Sequence, residues 1–321
     1  MKEECNMEII FSYTFFFFVI LLLGTISGIF SERSGTVNIA VNGFMVFGAA
    51  IYSVFSVIFT DSLNITSAWS QIPLTLLAGF VTLVFGLLFG LAAVKFKSDQ
   101  TVSGFAINVL ATGIAAMVVL YLTTRTQKAG SVIVFRGREE LALSPAIGTY
   151  RNIVSFKLAV VIIVAVASWF ALRKTRWGLR FRSVGENPQA ADVAGINVNR
   201  IKWQGLAISG FIAGIAGAIY AQVQINIFSL SKDVQGFGFI ALAIMITSRW
   251  KISISVIVSL FFSFLLAFSF YGINTLGASL NKFADLLAMI PYLITLIIMI
   301  LSSKNSYGPA AAGIPYDKSK R

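Results

Sequence analysis

Residues 177–218 read WGLRFRSVGENPQAADVAGINVNRIKWQGLAISGFIAGIAGA, and their reading decides the fold. A basic loop comes first, holding a short capped helix, and a long apolar helix laced with glycine follows. Asn187-Pro188 marks a helix start. The Asn side chain accepts from the first free backbone N–H groups, and Pro at the first helical position sacrifices no hydrogen bond. Gly195 stands where that helix must end, supplying the left-handed conformation of a C-terminal cap. Between them Ala190, Val193 and Ala194 share one face, while Gln189 and Asp192 point elsewhere. Small side chains on the exposed face of a short helix permit close docking into a partner's groove. The bland alternative is a surface turn between two spans.

Outward from this stretch the chain is apolar. Its 321 residues are 57% hydrophobic and 12% charged, with a mean hydropathy of +0.84. Several apolar runs reach the roughly 20 residues needed to cross a bilayer. The fold class is therefore an all-α, polytopic helical membrane protein. Candidate spans are residues 9–30, 37–59, 72–94, 102–122, 156–172, 201–223, 252–271 and 283–301, with a short run at 236–247. The short run cannot cross unaided; it is either a half-helix or a continuation of residues 225–230. That gives about 8–10 membrane segments, some broken or half-spanning. The first run lacks a small-residue cleavage site and is too long for a signal peptide, so it is expected to remain as a span. Residues 1–303 read as one membrane domain and 304–321 as a basic cytoplasmic tail.

A net charge of +12 would suggest nucleic acid in a soluble chain. Here the cations lie mostly in loops between spans, so the positive-inside rule accounts for them and no nucleic-acid partner is expected. Arg173, Lys174, Arg176, Arg180, Arg182, Arg200 and Lys202 flank the capped helix, opposed only by Glu186 and Asp192. This places the loop 173–202 in the cytoplasm. By alternation Lys95, Lys97, Arg249, Lys251, Lys304 and the tail fall on the same side. The loop 123–155 lands outside despite Arg125, Lys128, Arg136, Arg138 and Arg151, and the acidic start suits an external N-terminus. Asn64-Ile65-Thr66 matches a glycosylation sequon, a match short enough to arise by chance.

The chain has little to do chemistry with. Histidine is absent and Cys5 is the single cysteine, which removes the commonest general base, the commonest metal ligand and any disulfide. No GxxxxGK[ST] loop occurs, so ATP is not bound here in that way. No carboxylate pair or serine-centred motif stands out, and no cofactor or metal is expected. Work must come from outside the chain.

The run GLRFRSVGENPQAADVAGINVNRIK, continuing to SGFIAGIAGA, resembles the permease subunits of ATP-binding-cassette importers. The resemblance is to the nucleoside and simple-sugar branch, served by lipoprotein receptors of the basic-membrane-protein type, within the branched-chain amino acid and ribose permease superfamily. ERSGTVNIAVNGFMVFGA at 32–49, SDQTVSGFAINVLATGI at 98–114, GFGFIALAIMITSRW at 236–250 and PAAAGIPY at 309–316 are similar to further motifs of that family. Asn42 stands where Glu is more usual, Phe237 where Arg is common, and Ser248 where Gly is usual. The resemblance implies that Gly185, Glu186, Asn187, Pro188, Ala190, Ala191, Gly195 and Ile196 form the coupling contact on the ATPase. It further implies an ATPase with two nucleotide sites, a paralogous permease making a heterodimer, an external substrate-binding lipoprotein, and a place in the cell membrane.

Polar residues inside apolar segments are costly and informative. Asn38 and Asn42 share a helical face, as do Asn108 and Thr112. Amides offer both donor and acceptor to ribose hydroxyls and base edges. Together with Phe237 and Phe239 as stacking surfaces they are the expected pathway lining; the alternative for each amide is interhelical hydrogen bonding. Gly35, Gly236 and Gly238 are placed to break helices at mid-membrane. Gly210, Gly214 and Gly217 lie along one helix side and read as close packing. Asp285 reads as interfacial, and Arg249-Trp250-Lys251 as an interfacial anchor. The expected function is the permease of an ATP-driven nucleoside importer, a transport subunit and not an enzyme. The alternatives are a simple-sugar permease or a stand-alone secondary transporter, the latter wanting a coupling-ion site that the residues do not supply.

Overall fold

A computed structural model describes residues 2–61, 63–64, 67–125, 132–133, 155–223, 228–229, 234–272, 289–303 and 307–318. Most of the loop 123–155, the start of the span 283–301 with Asp285, Lys304 and the last residues of the tail lie outside them, as does part of the sequon.

Among the described residues the helices are α1 (Lys2–Arg33), α2 (Val41–Asp61), α3 (Gln71–Gly90), α4 (Gln100–Arg125), α5 (Phe156–Lys174), α6 (Arg176–Glu186), α7 (Pro188–Val193), α8 (Val198–Val223), α9 (Phe237–Thr247), α10 (Ile252–Ala267) and α11 (Ile290–Ser303). Seven are long and apolar enough to cross a membrane. The protein is a multi-pass, all-helical membrane protein. The remaining apolar helices, α9 with 11 residues and α11 with 14, are short of a full crossing as described. The run 236–247 is thus a half-helix. The alternative that it continues residues 225–230 lies mostly outside the described residues; of these, Phe228–Ser229 (β2) are extended and pair antiparallel with Val132–Ile133 (β1). That pairing joins the loops after α4 and α8, which alternation puts on one side.

α1 is the axis of the bundle: 94% of its apolar stretch is buried, against 22% for α5 at the rim. α8, α10, α9 and α5 all pack on α1, and α8 also carries α3 and α2. The glycines of α8 make those contacts possible. Gly210 and Gly214 sit against Thr82 and its neighbours in α3, and a Cβ on Gly217 would fall onto the backbone of Met45 in α2. In lipid, where dispersion drives helix association, such backbone approach is the available stabilisation.

Several boundaries differ from the hydropathy reading, two of them beside the site. α2 starts at Val41 rather than 37, because the chain turns after α1 with Gly35 at φ +83° and then runs non-helical to Ile39-Ala40. α8 starts three residues before the apolar run, capped by Asn197, whose Oδ1 accepts from Arg200 N at 3.0 Å. Hydropathy cannot see either, since at each end a polar side chain closes on nearby backbone, Asn38 Oδ1 accepting from Ala40 N at 2.9 Å just ahead of α2.

Candidate functional site: a capped helix tied to a polar belt

Local sequence builds the end that carries α7. Thr175 caps α6, its hydroxyl accepting from Gly178 N at 3.0 Å. α6 buries Gly178, Phe181, Val184 and Gly185 on one side and turns its arginines to the other. This spacing of apolar positions was legible in WGLRFRSVGE, but the run of arginines reads as a loop. Asn187 then ends α6 and begins α7: its N–H bonds Ser183 O at 2.9 Å, and its Oδ1 accepts from Ala190 N at 3.0 Å. α7 stops as its glycine requires. Gly195 takes φ +81°, its N–H bonds Asp192 O at 2.9 Å, and Ile196 N bonds Ala191 O at 3.0 Å, a doubly bonded C-terminal cap.

The faces of α7 follow from what lies beneath it. Ala190, Val193 and Ala194 are exposed, Val193 at 75%. Ala191 is the exception among the expected contact residues: it is 4% exposed and turned inward. Gly185 is buried too, because a Cβ there would strike the carbonyl of Arg33. These two hold the loop from within. Glu186, Asn187, Pro188, Ala190, Gly195 and Ile196 remain at least partly open.

The C-terminal segment joins this surface. Ala311 N donates to Gly185 O at 2.9 Å, Ala310 N reaches Glu186 Oε2 at 3.4 Å, and Lys97 Nζ meets Asp317 Oδ1 at 3.1 Å. Lys202 Nζ donates to Gly35 O at 3.1 Å and to Ile314 O at 3.4 Å. The result is a groove of about 310 Å³ with one wall from Glu186–Gln189 and the other from Ala310–Ala311 and Ile314–Asp317. The sequence signalled a family-like tail here but not that it lies against the capped helix.

Beneath it, the turn after α1 connects surface to interior. Arg33 spans Glu186 Oε1 at 3.5 Å and Trp250 O at 3.3 Å. Buried Glu32 accepts from Trp250 Nε1 at 2.6 Å. Trp250 is therefore 9% exposed and locked to α1, where the sequence suggested an interfacial anchor.

Deeper still lies a belt of polar side chains. Asn38 Nδ2 donates to Ser209 Oγ at 2.9 Å, and Ser209 also meets Ser27 Oγ at 2.9 Å. Asn108 Oδ1 accepts from Gly43 N at 2.6 Å, while its Nδ2 donates to Ile39 O at 2.8 Å. Asn42 Oδ1 accepts from Gly238 N at 3.2 Å. Gly238 is helical, not a break: any Cβ there would run into the backbone of Asn42. Gly236, at φ +71°, is what starts α9. The belt thus brings together Asn38, Asn42 and Asn108 around the start of α2, and adds Ser27 together with Ser209, which sits beside the packing glycines of α8.

The remaining expected lining residues are dispersed. Thr112 is half-buried one turn beyond Asn108. Phe237 is fully buried, with edge-to-face contacts to Phe17 at 5.4 Å and Tyr220 at 5.9 Å. Phe239 is 47% exposed on the outer side of α9. Among the described residues no cluster of three metal-ligating side chains occurs.

Comparison with known proteins places this architecture. Residues 10–303 match the family described as branched-chain amino acid transport system / permease component. The chain is 35% identical over 308 residues to the guanosine ABC transporter permease protein NupQ of Bacillus subtilis, covering 94% of each chain. It is 34% identical over 305 residues to the nucleoside ABC transporter permease protein NupC of Lactococcus lactis, again covering 94% of each. A second Bacillus subtilis protein, the guanosine ABC transporter permease protein NupP, is 24% identical over 228 residues, 70% of this chain and 63% of that one. No solved structure matches.

Proposed function

The chain belongs to the branched-chain amino acid transport permease family, and on that footing we propose that it is the membrane-spanning permease of a nucleoside importer of the ATP-binding-cassette type. It is a transport subunit, working with the other components of such a system. The observation that carries the nucleoside reading is the likeness to two nucleoside permeases across 94% of this chain.

A separate ATPase with two nucleotide sites docks on the surface made by α7 and the 309–317 segment. The exposed small face of Ala190, Val193 and Ala194 and the surrounding cations support that reading. The ATPase contact comprises Glu186, Asn187, Pro188, Ala190, Gly195 and Ile196 directly, with Gly185 and Ala191 holding their shape. Force on α7 reaches the belt through short connections: Gly185 against Arg33 and Gly35, Lys202 to Gly35, and the non-helical run to Asn38. Two states biased by an external ligand suffice for alternating access.

The substrate route runs beside the amide-tied start of α2, past Asn38, Asn42, Asn108 and Thr112, with Phe237 and Phe239 at its side. A paralogous permease completes it, as the presence of two guanosine permease proteins in Bacillus subtilis suggests. An external lipoprotein receptor delivers the substrate. The residues after 303 form a cytoplasmic tail that serves the docking surface.

Uptake of labelled guanosine and of labelled ribose, compared in cells with and without this chain, tests the reading. Loss of nucleoside uptake alone is expected. Loss of ribose uptake with nucleoside uptake intact would overturn it.

A further inference from the structure

A second cavity, of about 410 Å³, opens on the same end of the bundle between α5, α6 and α10. It is lined by Arg33, Arg173, Arg182 and Lys251 together with Trp169 and Trp250. Arg33 is engaged by Glu186 and the Trp250 carbonyl. Among the described residues, Arg173, Arg182 and Lys251 make no ion pair with any carboxylate. Arg182 and Arg33 also repel one another through their charges. α10 begins at this cavity, and its cap residue Lys251 makes no side-chain bond to the helix, so the positive end of the helix dipole adds to the same field.

Such a concentration of unneutralised cation has a place to find an anion. α5 and α10 both pack on α1 and touch each other little. Both present apolar, exposed side chains: Ile163, Val166 and Phe170 on α5, Ile254, Ile257 and Phe261 on α10. Of these Ile254 lines the cavity itself, and Trp169, in the same lining, is the residue type that favours a membrane interface. Cations beside exposed apolar helix faces match an amphiphile with a negative head. A small soluble ion would make no use of those faces.

We propose that this cavity binds an anionic phospholipid, the head-group phosphate held by Arg173, Arg182 and Lys251 and the acyl chains lying on the exposed apolar faces of α5 and α10. The site does not depend on what the importer carries. It ties α5 to α10 across the base of α6, and so braces the loop that leads into α7. Basic pockets between spans on the cytoplasmic side are suited to such head groups, each cation near the surface strengthening attraction to anionic lipid.

The test is native mass spectrometry of the complete importer, purified in neutral detergent and offered phosphatidylglycerol or phosphatidylcholine vesicles. Retention of phosphatidylglycerol over phosphatidylcholine by roughly 30- to 150-fold is expected from two or three such charges. Arg173→Gln with Lys251→Gln should lower the preference to the roughly fivefold that Arg182 alone sustains, whereas Arg173→Lys keeps the preference and Arg200→Gln, away from the cavity, leaves it unchanged. Lys251→Gln alone, at an exposed side chain, should reduce the preference and guards against a double variant that fails to assemble. Equal retention of both lipids by the parent, or a preference undiminished by loss of Arg173 and Lys251, overturns the site. Displacement of phosphatidylglycerol by millimolar inorganic phosphate would make it a soluble-anion site and overturn the lipid.

Discussion

Trp250 Nε1 donates a 2.6 Å hydrogen bond to Glu32 Oε2, joining the end of α1 to the turn between α9 and α10 across 218 residues of sequence. Both side chains are buried, and the Arg33 guanidinium closes the same junction by bonding the Trp250 carbonyl. The junction sits directly under Glu186 and the start of α7. The half-helix α9 is thereby fixed at the end nearest the docking surface, while its other end touches the polar belt at Asn42.

Trp250→Phe removes the donor and leaves a buried carboxylate short of a partner, a loss of about 1–3 kcal/mol for an unsatisfied buried group. The purified importer should melt at lower temperature. Adding Glu32→Gln, which replaces the charge by a neutral amide, should restore part of the loss. Melting curves that do not differ from the parent would show the bond to be dispensable.

Substitutions on α7 should separate into two kinds. Val193→Asp, on an exposed side chain, should leave melting unchanged yet reduce receptor-stimulated ATPase activity and uptake together. Ala191→Asp forces a charge into a buried position and should destabilise the loop as well. Gly195→Val places a β-branched residue at φ +81° and should act like Ala191→Asp. Coupled transport at the parental level in Val193→Asp would remove α7 from the contact.

The 309–317 segment gives an independent check on that surface. Its exposed ion pair, Lys97 with Asp317, should matter little: Asp317→Asn is expected to change stability by at most about 1 kcal/mol. Deleting residues 309–317 removes a wall of the groove and should depress ATPase coupling as strongly as Val193→Asp. Full coupling in the deletion would assign docking to α7 alone.

Sidedness is testable with cysteines in a Cys5→Ser background. Gln189→Cys, exposed on α7, should react with an impermeant reagent only after the inside is opened, and Ser67→Cys, in the α2–α3 connection, from outside. Labelling of Gln189→Cys in intact cells would invert the topology.

For the pathway, Asn108→Leu strips two buried hydrogen bonds from the start of α2 and leaves Gly43 N and Ile39 O without their amide partner. It should lower both stability and uptake. Phe239→Ala, at a half-exposed ring, should lower uptake without lowering the melting temperature. Parental uptake in Phe239→Ala would move the route away from α9.

The sequence by itself determined whatever is settled within a few residues or by bulk composition. The long apolar runs picked out the seven helices long and apolar enough to cross, because that test is one of length and hydropathy alone. Asn187, Pro188 and Gly195 fixed α7 at both ends, because capping is a contact between a side chain or a backbone twist and groups three to five positions away. The glycines at 210, 214 and 217 declared a packing face for the same local reason. Tertiary structure alone decided what each face meets. Ala191 turns inward because α7 lies on the body of the bundle, and nothing in QAADVAG says which side that is. Asn108 closes on Gly43 and Ile39, and Asn38 on Ser209, because those partners are 65 to 171 residues distant and become neighbours only once α2, α4 and α8 have packed. An amide in an apolar run announces that it needs a partner, since burial without one is expensive; only the packed helices choose between protein and passing substrate.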